Sequence, residues 1–211
     1  MIKEYIKRNP KLLRLARLAF RPIMNRYDLL KWYIKGKPVP PPHIIKVNTL
    51  KEFQKRFDIN CLIETGTHMG STVDDVKNNF KRIYTIELSD SFYNRAVKRF
   101  SKFPHIKILH GDSSKILPDI LNQISSPCLF WLDAHYSGGN TSKGDLETPI
   151  IGELTVIKDH KVNNHLILID DARCFTGNTD YPTLDEVFRI IKTINNNYKI
   201  EVKADIIRAY V

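Results

Sequence analysis

The sequence contains few cysteines, and none of them is spaced for a metal centre. Its 211 residues include only Cys61, Cys128 and Cys174, with no Cys-x-x-Cys pair among them. Cys61 and Cys128 fall within apolar segments, where a free cysteine behaves as a small buried apolar residue. This pattern argues against a zinc site and predicts a reducing compartment, which we take to be the cytoplasm.

Long apolar runs are also absent. No stretch approaches the roughly 18 apolar residues that are needed to cross a bilayer. Arg14, Arg17 and Arg21 interrupt the apolar stretch near the N-terminus, so no signal peptide is expected. A chain of this length and composition is expected to form one α/β domain with a substantial core.

Positive charge is concentrated in the N-terminal region. Residues 1–37 hold 11 Lys or Arg against two acids, whereas the other 174 residues hold 22 against 21. The formal net charge of +10 therefore divides into +9 and +1. The near-neutral part offers no extended basic surface and no recognised motif, which argues against a nucleic acid partner.

The N-terminal region has the pattern of a basic amphipathic helix. Four basic residues are spaced by three or four positions, namely Lys11, Arg14, Arg17 and Arg21. Such a helix suits attachment to an anionic membrane surface, which would place the protein at the inner membrane face. Packing on the main domain and self-association with a second subunit are the alternatives. The proline-rich segment 38–42 predicts a stiff joint, so we assign residues 1–45 to an arm and 46–211 to the domain.

From residue 61 onward, strand and helix patterns alternate. The predicted strands are Cys61–Thr65, Arg82–Leu88, Ile106–His110, Cys128–Leu132, Leu166–Ile169, Lys199–Lys203 and Ile206–Tyr210. The predicted helices are Thr49–Phe57, Ser71–Phe80, Ser89–Lys102, Ser114–Gln123, Ile150–His160 and Thr183–Asn195. This alternation predicts an α/β fold with a doubly wound, Rossmann-like sheet, mostly parallel and closed by a C-terminal antiparallel hairpin.

Acidic residues follow two of the predicted strands. Asp133 ends one apolar run, and Asp170 and Asp171 end another. The C-terminal ends of parallel strands are where open α/β sheets bind ligands. Three acids that converge there need a positive charge between them, and their hard oxygen ligands suit Mg²⁺ better than Zn²⁺. In the alternative interpretation, the Asp170-Asp171 pair caps the following segment or pairs with Arg173.

A turn with two glycines follows the first predicted strand. It reads Glu64-Thr-Gly66-Thr-His-Met-Gly70-Ser71-Thr72. Glycine is needed where the chain reverses and where backbone approaches a ligand, and the helix that begins at Ser71 or Thr72 directs its free N–H groups to the same place. The Gly-x-x-x-Gly spacing departs from the dinucleotide fingerprint. A tight strand-to-helix turn without a ligand is the alternative.

The next two predicted strands also end in groups that suit a nucleoside. Glu87 is placed to accept hydrogen bonds from a ribose diol. Asp112 and Ser113 follow the third strand, where they suit the edge of an adenine. Each acid alone is more often a helix cap or a solvated loop residue. Three successive strands that end with ligand-type groups form a stronger signal than any one of them.

These motifs resemble those of the class I S-adenosylmethionine (SAM)-dependent methyltransferases. The resemblance rests on Glu64-x-Gly66-x-x-x-Gly70, Glu87 and Gly111-Asp112, and it covers about residues 60–211. It implies that the Gly66–Gly70 loop wraps the methionine moiety, that Glu87 binds the ribose and that Asp112 contacts the adenine. The full set of expected cofactor contacts is Glu64, Gly66, Thr67, His68, Gly70, Ser71, Thr72, Glu87, Asp112, Ser113 and Asp133.

The acid cluster resembles the metal triad of the divalent-metal-dependent O-methyltransferases, which include the catechol and macrocin types. The resemblance implies that Asp133, Asp170 and Asp171 hold a divalent cation, for which Mg²⁺ is our choice. The catalytic lysine of the catechol type has no counterpart near Asp133, where His135 stands instead. We therefore predict that His135 is the general base, since histidine titrates near neutral pH.

Other residues offer alternatives for these roles. Asp133 itself is the second candidate base, and Asp145 or Glu147 would complete either role. His68 lies in the cofactor turn and is expected to position backbone or to stack rather than to catalyse. The glycine-rich segment 137–148 is expected to close over the acceptor as a lid.

The acceptor is expected to carry a hydroxyl. The polar residues of the predicted lid favour a sugar, a glycan or a glycosylated metabolite, whereas Trp131 and Tyr136 would suit an aromatic ring. Two other functions compete with an O-methyltransferase. One is an NAD(P)-dependent oxidoreductase on a similar sheet, and the other is a membrane-docked module that keeps the fold without catalysis.

Overall fold

The computed structural model describes residues 10–134 and 148–211. The chain divides into two compact units between Lys46 and Val47. The first unit contains α1, a long helix over Pro10–Ile34. Gly36 and Lys37 follow it with left-handed backbone, and the Lys37 N–H donates to the Trp32 carbonyl at 2.9 Å. This arrangement satisfies carbonyls that the helix end would leave without partners.

A seven-stranded sheet forms the centre of the second unit. Its strands are β1 (Cys61–Thr65), β2 (Arg82–Glu87), β3 (Ile106–His110), β4 (Leu129–Leu132), β5 (Leu166–Ile169), β6 (Lys199–Lys203) and β7 (Ile206–Tyr210). They lie in the order β3-β2-β1-β4-β5-β7-β6. The first five are parallel, and β7 pairs antiparallel with both β5 and β6. The predicted mostly parallel sheet with a C-terminal hairpin is confirmed.

Helices precede and connect the strands. They are α2 (His43–Arg56), α3 (Ser71–Val76), α4 (Asp90–Phe100), α5 (Ser113–Leu121), α6 (Ile150–Lys158) and α7 (Leu184–Ile194), with a short 3-10 helix at Ala172–Cys174. The central strands β1, β4 and β5 are buried throughout because both faces of the sheet are covered, as in parallel sheets generally. Leu62, Phe130 and Ile167, for example, are completely buried.

Two predicted helices have different bounds in the structure. Helix α2 begins at His43 rather than Thr49, directly after the prolines. Helix α3 ends at Val76 rather than Phe80. Asn78 and Asn79 follow α3, and the Asn79 N–H donates to the Val76 carbonyl in a tight turn. Asparagine competes with helical hydrogen bonding and favours turns, which explains the early end. The other predicted bounds differ by two residues or fewer.

Two of the cysteines are buried, as the sequence analysis predicts. All three cysteines are free thiols, and Cys61 and Cys128 are buried. Among the described residues, no helix is both long and apolar enough to span a membrane.

Candidate active site

Three adjacent strands end at the same level, which sets the position of the candidate site. Thr65 of β1 pairs with Leu132 of β4, and Leu132 pairs with Ile169 of β5. The next residues along the chain are Gly66, Asp133 and Asp170. They therefore leave the sheet side by side, at the point where the strand order reverses between β1 and β4. Open α/β sheets bind their ligands in the crevice at such a point.

The loop from Gly66 to Gly70, which we call the predicted cofactor loop, contains glycines that allow close contacts which other residues would block. Gly66 and Gly70 both have left-handed backbone, with φ of 86° and 68°. A Cβ atom on Gly66 would lie 2.5 Å from the Asp133 carbonyl oxygen, and one on Gly70 would lie 2.8 Å from the Phe100 ring. The loop after β1 thus touches the backbone of Asp133. Glycine at position 66 joins the cofactor loop to the acid cluster.

A buried polar chain lies beneath the loop. The Thr85 hydroxyl donates to a Glu64 carboxylate oxygen at 2.5 Å and lies 2.5 Å from the Thr67 hydroxyl. Burial raises the pKa of Glu64 to about 8, and the nearby Glu87 charge adds to the rise although the Thr85 hydrogen bond opposes it. At neutral pH, Glu64 is therefore largely protonated in this structure. Thr67 and Glu64 support the loop from below.

Glu87 holds the loop through backbone hydrogen bonds. One of its carboxylate oxygens accepts from the His68 N–H at 2.6 Å, and the other accepts from the Ser89 N–H at 2.9 Å. A carboxylate oxygen has two lone pairs, so each can accept a further hydrogen bond. The His68 ring is exposed and packs edge-on against Phe92, with centroids 4.6 Å apart. Glu87 thus holds the His68 backbone, and Phe92 holds its ring.

The segment from Met69 to α3 is fastened by an arginine that sequence reasoning missed. Arg99 of α4 donates to the Met69 carbonyl at 2.6 Å and to the Asp74 carboxylate at 2.7 Å. Burial acts to raise the pKa of Asp74, but the hydrogen bonds and charges of Lys77 and Arg99 outweigh it and lower the pKa. Ser71 and Thr72 lie in the first turn of α3, which Gly70 precedes.

Asp112 and Ser113 lie where the sequence places them, but their hydrogen bonds are internal. Asp112 caps α5 by accepting from the Ser114 N–H at 2.9 Å. Burial acts to raise the pKa of Asp112, but hydrogen bonds from Ser114 and Lys115 outweigh it and lower the pKa. The Ser113 hydroxyl donates to Glu153 of α6 at 2.5 Å, and Glu153 is only 1% exposed.

Glu153 was missed by sequence reasoning. The sequence does carry a signal for Glu153. It is the one acid among the apolar residues Ile150, Leu154 and Ile157, which form the buried side of α6.

The three predicted metal ligands lie together. Asp133, Asp170 and Asp171 each offer a carboxylate oxygen, and these oxygens all lie within 4.8 Å of one another. Asp170 is 2% exposed and Asp171 is 8% exposed. Two charged carboxylates at that separation repel each other by about 3 kcal/mol at an effective dielectric constant of roughly 20. The cluster therefore requires neutralisation by a cation, a proton or both.

Arg173 supplies part of that neutralisation. Its guanidinium donates to Asp171 at 2.8 Å and also contacts Asp205 in the β6–β7 turn. Burial acts to lower the pKa of Arg173, but the two carboxylates outweigh it and raise the pKa. The alternative in which Asp171 pairs with Arg173 is therefore observed together with the cluster. The Asp171 N–H donates to Asp170 at 2.9 Å, with Asp171 in left-handed backbone.

Several other predicted residues lie outside the described part of the chain. These are His135, Tyr136, Asp145, Glu147 and most of the predicted lid, residues 137–147. Trp131 was considered as a platform for an aromatic acceptor, but it is completely buried in β4. Side chains on a strand alternate between the two faces of the sheet, and both faces are covered here. Trp131 therefore cannot contact an acceptor.

A small cavity lies beside Asp170. Phe175, Tyr181 and Thr148 are among its lining residues, together with Glu153. The Phe175 and Tyr181 rings pack edge to face with centroids 5.6 Å apart. Sequence reasoning missed these aromatic residues because they lie in an irregular segment with no recognisable motif.

Comparisons with known proteins identify the fold. No family model matches the chain, and no curated protein matches it. The O-methyltransferase TomG from Streptomyces achromogenes, solved in complex with SAM, is 15% identical with a TM-score of 0.58, over 89% of this chain and 88% of that one.

Two further solved structures extend this comparison. An O-methyltransferase from Bacillus cereus in complex with SAH is 12% identical, with a TM-score of 0.58 over 89% of this chain and 90% of that one. The N-methyltransferase NodS from Bradyrhizobium japonicum WM9 is 15% identical, with a TM-score of 0.51 over 79% of this chain and 93% of that one. At these identities the likeness establishes the fold, which is that of the class I SAM-dependent methyltransferases, as the motifs predicted.

Proposed function

We propose that this chain is a SAM-dependent O-methyltransferase, assisted by a divalent cation, that acts on a hydroxyl of a sugar, a glycan or a glycosylated metabolite. The observation that carries the proposal is the common level of Gly66, Asp133 and Asp170 at the ends of β1, β4 and β5. It brings a loop suited to a nucleoside donor against a cluster of carboxylates. The SAM and SAH in the structural neighbours TomG and the Bacillus cereus enzyme support the choice of donor.

The residues of the cofactor loop fit an adenosyl donor. Gly66 and Gly70 let this loop close against the Asp133 backbone and the Phe100 ring, which holds its backbone at the switch point of the sheet. Glu87 keeps a lone pair on each oxygen for a ribose diol. Asp112 caps α5 through one oxygen, and its other oxygen faces Lys115 at 3.4 Å. The donor supplies a methyl group that is already activated on a sulfonium.

The carboxylate cluster fits a hard cation. Asp133, Asp170 and Asp171 offer only oxygen ligands, the set that Mg²⁺, Mn²⁺ and Ca²⁺ prefer. A cation bound there would supply Lewis-acid stabilisation of the charge that develops on the acceptor oxygen. Arg173 contacts Asp171 from one side and would offset the remaining negative charge.

The chain's own residues would position the acceptor and remove its proton. Methyl transfer is a direct displacement, so alignment of the acceptor oxygen with the methyl group lowers the barrier most. Asp133 lies beside the cofactor loop and is a candidate to accept the hydroxyl proton, and His135 is the first choice for the same role. The polar residues of segment 137–147 support a polyhydroxylated acceptor.

Calorimetry separates this proposal from an oxidoreductase. We expect the full-length protein to bind SAM and SAH and not to bind NAD or NADP. Binding of a nicotinamide dinucleotide without SAM binding would overturn the proposal.

A methylation screen with labelled SAM tests the reaction itself. Sugars, catechols and lipids would serve as acceptors, each with and without a chelator. Turnover on sugar hydroxyls that chelation abolishes and Mg²⁺ restores is the expected result. Turnover that a chelator leaves unchanged would remove the cation from the proposal, and methylation of a catechol alone would remove the sugar acceptor.

A further inference from the structure

Helix α1 carries an exposed apolar face. Six large apolar residues recur along it at intervals of one, three or four positions, namely Phe20, Ile23, Met24, Tyr27, Leu30 and Ile34. Their exposures lie between 53% and 77%. On a helix this spacing gathers the side chains into one stripe about 120° wide. We refer to these six residues as the apolar face of α1.

The other side of α1 is less exposed. Trp32 is only 7% exposed, and Asn25 and Leu29 are half-buried. These three lie across the helix from the apolar face. A surface helix normally turns its apolar stripe away from water. Here the stripe faces solvent, and a contiguous exposed patch of this kind marks an interaction site.

Basic residues border the apolar face. From residue 20 to residue 37 the helix and its end carry Arg21, Arg26, Lys31, Lys35 and Lys37 against the single acid Asp28. The Lys31 ammonium lies 5.9 Å from the centre of the Tyr27 ring, and that of Lys37 lies 4.9 Å from the Tyr33 ring. The long basic side chains thus run beside aromatic rings, as they do where a helix lies at a lipid interface.

We propose that the apolar face of α1 docks this protein on an anionic lipid surface. The charge around this face favours a lipid surface over a second copy of the chain as its binding partner. Pairing two copies through this face would bring together two helices whose residues 20–37 each carry a net charge of +4. An anionic lipid surface instead offers the opposite charge to the basic border while its acyl region accepts the apolar side chains. This inference is independent of the proposed methyl transfer.

Vesicle sedimentation of the full-length protein tests the proposal. Wild type should sediment with vesicles of phosphatidylcholine and phosphatidylglycerol in equal parts and should stay in solution with phosphatidylcholine alone. Replacing Ile23 and Leu30 by Glu should weaken binding at least about tenfold, because two charges enter the apolar face. Replacing Arg26 and Lys35 by Glu should weaken it similarly, and added salt should weaken binding of the wild type.

A matched control places the same change elsewhere. Val97 on α4 is 41% exposed, and Val97→Glu should leave vesicle binding unchanged. Thermal unfolding of every variant shows whether it folds. The proposal is overturned if the wild type does not sediment with anionic vesicles, or if replacing Ile23 and Leu30 by Glu leaves vesicle binding unchanged. A wild-type dimer in analytical ultracentrifugation that these changes dissociate would instead make the face a self-association surface.

Discussion

At the scale of single residues, Gly66 connects the predicted cofactor loop to the acid cluster. Its left-handed backbone and its closeness to the Asp133 carbonyl exclude any side chain. Asp133 lies between Gly66 and Asp170, because its own strand, β4, runs between β1 and β5. A single added Cβ atom at position 66 would therefore push the loop away from Asp133.

Gly66→Ala should therefore weaken SAM binding at least about tenfold, a loss of roughly 1.4 kcal/mol, measured by calorimetry. The added Cβ must displace the loop or the Asp133 backbone. Gly36→Ala is the matched control, because Gly36 has a similar φ of 77° but nothing within 4 Å of the added atom. Both variants carry left-handed strain, so equal affinities for SAM would contradict the role of the contact.

Asp170 provides the residue-scale test of the cation. Asp170→Asn keeps an oxygen that can accept the Asp171 N–H, so the turn after β5 should persist. The variant removes one charge from the cluster and should lose cation-stimulated methyl transfer while its affinity for SAM stays within about twofold of wild type. Asp119→Asn, a change at an exposed acid on α5, should alter neither quantity. Undiminished turnover of the Asp170 variant would remove Asp170 from the reaction.

At the scale of secondary structure, side-chain hydrogen bonds stabilise the start of helix α7. Thr183 accepts from the Glu186 N–H at 3.2 Å, and Glu186 accepts from the Thr183 N–H at 2.7 Å, which forms a capping box. These reciprocal bonds satisfy groups that a helix start would otherwise leave to water. Helix α4 begins differently, because the side chain of its N-cap residue, Ser89, makes no capping bond.

Thr183→Ala should lower the free energy of unfolding by about 1 kcal/mol, measured by urea denaturation. Thr183→Ser keeps the hydroxyl and should recover most of the loss. Ser89→Ala, at an N-cap without a capping bond, should cost less than half as much. Equal losses at the two positions would show that the capping box contributes little.

At the scale of the whole molecule, buried His165 and its half-buried partner His160 couple stability to pH. The His165 ring accepts from the Cys128 N–H at 3.0 Å, and its other nitrogen lies 2.9 Å from His160. The His160 ring also lies 3.2 Å from the Ile124 carbonyl. Because an N–H already donates to one His165 nitrogen, the chain of bonds requires a neutral ring. Burial and then the His160 charge lower the pKa of His165 to about 4 from its usual 6.5.

The unfolded chain therefore binds a proton at His165 that the folded chain does not bind between pH 6.5 and about 4. The stability that neutral His165 provides is complete above pH 6.5 and is lost as the pH falls toward 4, by up to about 3 kcal/mol. Urea unfolding at pH 7 and pH 5 measures the change. His165→Asn keeps an acceptor for Cys128 and should flatten this pH dependence, whereas His43→Asn, at an exposed site, should not. An equally steep dependence in the His165 variant would assign it to other groups.

The sequence by itself determined the elements and their order. Strands β1, β3, β5, β6 and β7 have the predicted bounds, because continuous apolar runs and glycine or polar turns are local signals. The acids Glu87, Asp133 and Asp170 were placed at strand ends for the same reason.

Only the tertiary structure decided which groups meet. The pairing of Thr65, Leu132 and Ile169 brings Gly66, Asp133 and Asp170 to one level. Side-chain packing brings Ser113 to Glu153 and Arg173 to Asp171 and Asp205, and it buries Trp131. Such contacts join residues that are distant in the chain, and strand register and side-chain packing fix them where no local pattern can.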